Sequence, residues 1–183
     1  MGEREVVWVR HTWDLSDLRL DTEPPPGYDF RPATKSDRSS IICVVLDAYG
    51  SDPIWAPMMD GIRRRMTQRV EETLGRPDAA YIVATWSDIP IGVSGVAVSH
   101  WTDQQLLTGI CVTRAHQRRG VGRCLLAESL RWLHAQGLLL AQVYTEHGSV
   151  ADQIIYPLFG SNRLVGVVYP GAGPRPASTG GSL

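Results

Sequence analysis

The order of sequence patterns predicts an α+β fold, or a mixed α/β one, arranged around one sheet. Three observations predict it. Runs of β-branched and aromatic residues alternate with runs whose apolar residues recur at helical spacing. Two neighbouring strand-like runs flank a short turn and are expected to pair as a hairpin. The chain has 183 residues, which is enough for one buried core.

The first part of the body predicts one strand and two helices. Residues 28–31 are predicted to form a short strand. Thr34 and Asp37 have the spacing of a capping box and predict a helix that runs to about Tyr49. A second helix is predicted over residues 58–74, because apolar residues spaced four apart would line one of its faces.

The second part of the body predicts the rest of the sheet. A row of leucines predicts a helix over residues 121–136, and a shorter helix is predicted around residues 150–158. The run 138–144 is apolar apart from Gln142, which predicts a strand that is buried on both faces. The predicted strands of this part are residues 80–86, 91–99, 105–113, 138–144 and 164–169.

The two ends of the chain are expected to lie outside this body. Residues 1–27 are predicted to form an N-terminal arm, with a short strand at Val6 to Val9 and a stiff proline-rich linker at its end. Residues 170–183 are rich in proline, glycine, serine and alanine and are predicted to form a disordered tail. Residues 28–169 are therefore the expected domain.

Composition argues against several classes of partner. The net charge is −1, so nothing favours a nucleic acid or an anionic membrane. No window approaches the ~20 apolar residues of a membrane span, and no signal-peptide pattern starts the chain, so we expect a cytoplasmic protein. Cys43, Cys111 and Cys124 lack metal-ligand spacing and are expected to be small buried hydrophobic residues; no metal is expected.

One loop carries most of the chemical information. An arginine-rich stretch with Gly120 and Gly122 lies between a predicted strand and a predicted helix. The first N–H groups of a helix have no partners within it, and the helix dipole there favours negative charge. Glycine lets phosphate oxygens approach the main chain, and Arg118, Arg119 and Arg123 can add charge-assisted hydrogen bonds. These features predict a pyrophosphate site.

Taken alone, this pattern is not specific. It is not a P-loop, because no Gly-Lys-Ser/Thr follows. It also lacks the third glycine of a dinucleotide-binding fingerprint. The alternative is a tight strand-to-helix turn with a solvated basic face.

The loop Gln117-Arg118-Arg119-Gly120-Val121-Gly122 matches a Q/R-x-x-G-x-G/A signature in full. In this respect the chain resembles the GNAT family of acyl-CoA-dependent acetyltransferases. The preceding Ile-Cys-Val-Thr strand and the following Leu-Leu-x-x-x-Leu helix are similar to the same family. The resemblance covers roughly residues 28–169 and is specific over 107–144. It implies a mixed, mostly antiparallel sheet of about six strands flanked by about four helices.

The resemblance also implies a cofactor and an acceptor. The acyl donor would be acetyl-CoA, with its pyrophosphate on the loop amides and its pantetheine arm paired with the preceding strand. The acceptor would be a primary amine of a small molecule or a protein, and a homodimer is expected by analogy. The residues implied to bind the cofactor are Ile110, Cys111, Val112, Gln117, Arg118, Arg119, Gly120, Val121, Gly122 and Arg123.

The segment after the fifth strand departs from the family pattern Asn-x-x-Ala-x-x-Leu-Tyr-x-x-x-Gly-Phe. Ser149 replaces the asparagine, Asp152 replaces the alanine, and Gly160-Ser161 replaces Gly-Phe. Tyr156 keeps the position where many members have their general acid. A phenol with a pKa near ~10 can donate a proton to a departing thiolate. The alternative is that Tyr156 only packs the last helix.

A base must accept the proton of the attacking amine. Glu146, His147 and His100 are the candidates: the first two lie just past the fifth strand, His100 ends the third, and Glu146 is preferred. The oxyanion is expected to meet a backbone N–H near Val112.

The acceptor side is open between two interpretations. In the loop 49–58, aromatic residues and Asp52 could hold a cationic amine, or the loop is simply packed by Trp55. The arginines at 63–65, together with Arg69, are predicted to form a solvated helix face. The expected function is N-acetyltransfer; the alternatives are a non-catalytic acyl-CoA sensor of the same fold and a transferase that uses a longer acyl-CoA.

Overall fold

Seven strands in the described part of the chain form two antiparallel sheets. The computed structural model describes residues 6–99 and 103–170, so His100 and residues 171–183 of the predicted tail lie outside it. The strands are β1 (Trp8–Asp14), β2 (Tyr28–Pro32), β3 (Ala79–Trp86), β4 (Ile89–Ala97), β5 (Leu106–Val112), β6 (Leu140–Glu146) and β7 (Asn162–Val167). Their orders are β2-β3-β4-β5 and β6-β1-β7.

Three α-helices and one π-helical turn accompany the sheets in the described residues. They are α1 (Arg38–Gly50), α2 (Met59–Thr73), α3 (Val121–Ala135) and the turn Ala151–Ile155. The predicted α+β class and the mostly antiparallel pairing are confirmed, but the strands form two sheets and not the single sheet that was expected. No helix in residues 6–99 and 103–170 has the length and apolar character needed to cross a membrane.

The approach to α1 is fixed by a carboxylate at the predicted capping position. Asp37 accepts the backbone N–H of Thr34 at 2.7 Å. Arg31 donates to both oxygens of the same carboxylate, at 2.8 Å each. The Arg31 guanidinium, helped by Thr34, holds the pKa of Asp37 well below its usual range although burial acts against this. The end of β2 is thereby tied to the start of α1.

The core lies on both faces of the four-stranded sheet. Residues of α1 and α2 pack with Val83 on one face, while residues of α3 pack with Ala84 on the other, as the alternation of strand side chains requires. The approach of α3 depends on Gly92, because a Cβ there would lie 3.0 Å from the Cδ1 of Leu125.

The N-terminal segment supplies the middle strand of the three-stranded sheet. β1 pairs with β6 on one side and with β7 on the other, so residues 8–14 are an integral strand that is longer than the predicted Val6 to Val9. Residues 20–25 continue along α3, where the Sγ of Cys124 donates to the carbonyl of Glu23 at 3.3 Å. The domain bounds 28–169 stay a prediction.

Two expectations about burial are wrong. β6 is not buried on both faces: Leu139 and Leu140 are 66% and 58% exposed, and burial then largely alternates along the strand. This is the pattern of a strand with one face on the core. Cys43 is exposed on α1, whereas Cys111 and Cys124 are buried as expected.

We predict that Gly95→Ala destabilises the fold by about 1–3 kcal/mol, because overpacking forces buried groups apart. A Cβ on Gly95 would lie 2.5 Å from the Cε1 of Tyr81, whose hydroxyl is held by Thr73 at 2.7 Å. Urea unfolding measures the change. The control is Gly61→Ala in α2, which meets nothing within 4 Å and should raise stability by up to about 1 kcal/mol. Equal stability of both variants would contradict this packing.

Candidate active site

A cavity of about 450 Å³ lies where the two sheets meet. Its walls come from α1, α2, β5, the loop between β5 and α3, β6, and the segment around residues 150–158. Apolar side chains dominate the lining, with a few polar groups among them, and the volume is typical of small-molecule sites.

The cavity owes its shape to a bulge in β5. Gly95 lies opposite Gly109 but Val96 lies opposite Leu106, so Leu107 and Thr108 are extra residues on the β5 side. Gly109 has φ +70°, a left-handed conformation that favours glycine. Beyond the bulge, the far edge of β5 carries no strand ladder in the described residues.

Glutamine side chains hold the two sheets together at the start of β5. The N–H of Gln105 donates to the carbonyl of Gln142 at 3.0 Å, and the N–H of Gln142 donates to the Oε1 of Gln105 at 2.8 Å. Gln104 adds a longer bond from the N–H of Tyr144, at 3.4 Å. The sheets are therefore joined at one end of β5, and residues of both β5 and β6 line the cavity.

The main chain of Ile110 and Val112 faces the cavity. Thr113 donates to the carbonyl of Ile91 at 2.8 Å, so the alternate positions 110 and 112 point away from β4. The outward carbonyl of Val112 accepts the Nε2 of Gln117 at 2.9 Å. The main chain of Ile110 hydrogen-bonds to Tyr156. The N–H of Val112 and the carbonyl of Ile110 remain directed at the cavity.

The start of α3 presents unpaired N–H groups. The first intrahelical bond runs from the N–H of Cys124 to the carbonyl of Gly120 at 3.3 Å, so the three preceding N–H groups have no helical acceptor. Gly120 has φ +84° and Arg118 has φ +60°, which turns the chain sharply into the helix. Pro25 lies beside this turn, 3.4 Å from the position of a Cβ on Gly120.

Most of the residues implied to bind the cofactor line this cavity. Arg119 and Val121 do not: Val121 is 1% exposed and packs in the core, so only its backbone N–H is available to a ligand. The predicted residues that line the cavity are Ile110, Cys111, Val112, Gln117, Arg118, Gly120, Gly122 and Arg123.

Tyr156 is a buried residue of the lining. It is 3% exposed, and its hydroxyl would be 2.7 Å from a Cβ on Gly109. Burial, helped by the neighbouring Cys111 and opposed by the Ile110 hydrogen bond, raises the pKa of Tyr156 far above its usual range. The phenol is therefore protonated at neutral pH. Because Ile110 donates to its oxygen, its own proton is free to point into the cavity.

A buried polar cluster lies behind Tyr156. His11 of β1 is fully buried and contacts the Oδ1 of Asp152 through its Nε2 at 2.9 Å. Its Nδ1 lies 3.0 Å from the hydroxyl of Ser161, which also reaches the carbonyl of Tyr156 at 2.6 Å. Arg163 donates to both oxygens of Asp152, at 2.7 Å each. The His11 ring lies 5.5 Å from that of Tyr156.

Charge in this cluster is well defined. Burial alone would raise the pKa of Asp152, but Arg163, the N–H of Gly148 and His11 together hold it well below its usual range. Burial lowers the pKa of His11, and Asp152 only partly opposes this. Asp152 is thus an anion at neutral pH, and the Nε2 of His11 must donate to it.

Two of the three candidate bases can be placed. Glu146 is 2% exposed at the end of β6, and neither it nor His147 lines the cavity. His100 lies outside the described residues.

Of the two interpretations of the loop 49–58, the structure shows the one in which Trp55 packs the loop. Trp55 is 8% exposed and meets Tyr49 edge to face, with ring centroids 5.3 Å apart. Asp52 accepts the N–H of Ile54 at 3.1 Å and that of Val150 at 2.9 Å. Both of its oxygens are therefore used in joining this loop to the segment after β6.

Cysteine and metal chemistry find little support in this region. Burial raises the pKa of the Cys111 thiol to about 12, and burial also raises the pKa of Cys124, so both are thiols at neutral pH. Within residues 6–99 and 103–170, no group of three or more His, Cys, Asp or Glu is placed to hold a metal ion.

One expectation about α2 is wrong. Arg69 is not on a solvated face but is 7% exposed and lines the cavity. It donates to the carbonyl of Leu107 in the bulge, and Tyr49 donates to that of Thr108 at 3.0 Å. The sequence does carry a signal for Arg69: it falls seven residues after Ile62, on the apolar face of the helix. No comparable helical spacing in the sequence indicated that His11 is buried.

Three solved structures share the fold. A functionally unknown conserved protein from Staphylococcus epidermidis is 16% identical, with a TM-score of 0.59 over 87% of this chain. GCN5-related N-acetyltransferases from Sphaerobacter thermophilus and Ralstonia eutropha are 18% and 21% identical, with TM-scores of 0.57 and 0.50 over 90% and 73% of this chain. This chain spans 58%, 51% and 92% of their respective lengths. A search of curated proteins found no significant match.

The sequence model of the acetyltransferase (GNAT) family matches residues 50–151, more than half of the 183 residues. The chain belongs to the acetyltransferase (GNAT) family. The matched region contains the GNAT loop at 117–122 and ends before Tyr156, so the family resemblance carried by that loop is confirmed.

We predict that Asp152→Asn lowers the free energy of unfolding by about 3 kcal/mol at pH 7, because a buried ion pair loses its anion. Its folded pKa is depressed, so its contribution is complete above the unfolded value of 3.8 and is lost as pH falls further. Urea unfolding at pH 7 and at lower pH measures this.

The control is Asp78→Asn, which breaks a similar but exposed pair with Arg76 and should change stability little. Equal effects of the two substitutions would show that the cluster behind Tyr156 is not a stabilising ion pair.

Proposed function

We propose that this chain transfers the acetyl group of acetyl-CoA to a primary amine, which attacks the thioester directly. The observation that carries the proposal is a single cavity lined by the GNAT loop at the start of α3, by the free edge of β5 and by Tyr156. Because this chain spans little more than half of some related structures, the proposal concerns this domain.

The donor would lie along the edge of β5. Its pyrophosphate would take the unpaired N–H groups at the start of α3, where the helix dipole favours an anion. Arg118 and Arg123 line the cavity at this end and add positive charge. The outward carbonyl of Ile110 and N–H of Val112 would pair with the pantetheine arm like an added strand.

The chemistry needs an oxyanion donor and an acid. The N–H of Val112, or a neighbouring main-chain donor on β5, would stabilise the negative charge that develops on the thioester oxygen. The C–S bond then breaks, and the Tyr156 phenol gives its proton to the departing thiolate. No step is assigned to Glu146, since its side chain does not line the cavity; the proton of the amine passes to water.

Calorimetric titration with acetyl-CoA and CoA tests the donor site. The wild-type protein should bind with micromolar affinity, on the order of −8 kcal/mol. Gly120→Glu should abolish this binding, because a carboxylate would meet the pyrophosphate. The control is Gly137→Glu, whose glycine has a similar φ of +88° and meets nothing within 4 Å. Absence of wild-type binding would leave only the fold in common with the family.

Substitution of Tyr156 tests the acid. Tyr156→Phe should keep CoA affinity but lower turnover by about 10²-fold or more, as expected for loss of general acid catalysis. Thiol release from acetyl-CoA with an accepted amine measures it. Tyr81→Phe removes another buried hydroxyl, outside the cavity lining, and should leave turnover unchanged. CoA binding without turnover of any amine would favour the non-catalytic sensor.

A further inference from the structure

Arg69 presents a buried positive charge to the cavity. The residue is 7% exposed and lies in the lining. Its side chain has one hydrogen bond among the described residues, from Nη1 to the carbonyl of Leu107, and no ion pair there. The remaining N–H groups of its guanidinium are therefore available to a ligand.

A buried cation without a counter-ion is costly. A charge removed from water is normally paired, because each unpaired buried ion costs several kcal/mol. Asp152, a buried ionic group behind Tyr156, follows this rule, since it is paired with Arg163. A neutral donor could satisfy the carbonyl of Leu107 equally well, so that bond alone does not explain the charge of Arg69.

The charges of the other lining residues also favour an anionic ligand. Arg65 lies one turn before Arg69 on α2 and also lines the cavity, from an exposed position. The acidic residue in the lining is Asp52, and backbone N–H groups already occupy both of its oxygens. This end of the cavity is thus built to attract an anion and not a polycation.

Contacts with β5 set the distance between Arg69 and the reaction centre. Arg69 bonds to Leu107, and the hydroxyl of Tyr156 lies against Gly109, two residues along the strand. Two residues of chain span at most about 7 Å, and the bulge shortens this distance. An anionic group of the acceptor would therefore lie only a few bonds from its reacting nitrogen.

We propose that the acceptor is a free amino acid or a similar amine with a carboxylate close to the nitrogen, and that Arg69 binds this carboxylate with help from Arg65. This inference rests on the proposed acetyltransfer. A planar guanidinium suits a carboxylate because it can donate two parallel hydrogen bonds. Trp8 and Tyr169, stacked with ring centroids 4.4 Å apart, also line the cavity and would contact the rest of the acceptor.

The first experiment uses the wild-type protein with matched acceptors. A panel of amino acids is compared with the corresponding carboxamides, and thiol release from acetyl-CoA gives kcat/KM. We expect each preferred acid to exceed its amide by about 10- to 100-fold, the worth of a charged hydrogen-bonded contact. The amides are more easily deprotonated at neutral pH, so this preference would run against amine reactivity.

The second experiment removes the charge. Arg69→Met should raise KM for the acids by about 10- to 100-fold more than for the amides, since any loss from the broken bond to Leu107 is common to both, and Arg69→Lys should restore part of the difference. Arg65→Met should act in the same direction and does not disturb a buried position. Arg64→Met is the control, since Arg64 lies on the same helix, is exposed and is not part of the lining.

The outcomes separate this inference from the proposed function. Equal use of acids and amides by a protein that acetylates amines would overturn the carboxylate site and leave the acetyltransferase proposal standing. If no amine is acetylated, the proposed function fails, and calorimetric titration of acids and amides into the CoA-saturated protein decides the rest. Binding of an acid but not its amide, lost in Arg69→Met, supports the site; any other pattern overturns it.

Discussion

The architecture of the site depends on an interruption in one strand pairing. β5 pairs with β4 through a regular ladder up to Gly95 and Gly109, and the two extra residues of the bulge then displace the chain. The displaced carbonyls need donors from outside the sheet, because buried carbonyl groups without partners are costly. Arg69 and Tyr49 supply them. These two hydrogen bonds join α1 and α2 to β5, whose free edge lines the cavity.

The opposite wall of the cavity, formed by β6 and residues 150–158, is supported from behind by β1 and β7. β1 is held between β6 and β7, and it carries His11 and Trp13 towards Tyr156. Trp13 donates to the carbonyl of Leu158 at 2.9 Å, while Asp152 joins His11 to Arg163 of β7. The phenol of Tyr156 is therefore positioned both by packing and by charged groups. The helical segment that precedes it, Ala151–Ile155, is a single π-helical turn.

The sequence predicted the body of the fold because its elements have strong local signals. The three α-helices end within one residue of the predicted positions 49, 74 and 136, and the signature loop identified the family. The sequence could not show that β1 belongs inside a sheet, since its partners are distant and its run is short. The burial of Arg69 was not predicted, because it was grouped with the arginines at 63–65 as one charged, solvated face. Its spacing of seven residues from Ile62 instead places Arg69 on the core side of α2. In the sequence, Asp152 is only a departure from the alanine of the family pattern. Its contacts with His11 and Arg163 show that it holds a buried polar cluster together.

The pairing of β1 also determines when this protein can finish folding. Trp8 pairs with Glu146 on one side and with Val167 on the other, so β1 has no partner until β6 and β7 are synthesised. Contacts so distant in sequence form late, whereas the four-stranded sheet and its helices need only nearby segments. During synthesis, the apolar side chains of β1 therefore stay exposed for longest, and this interval is when the chain is most open to aggregation or to capture by chaperones.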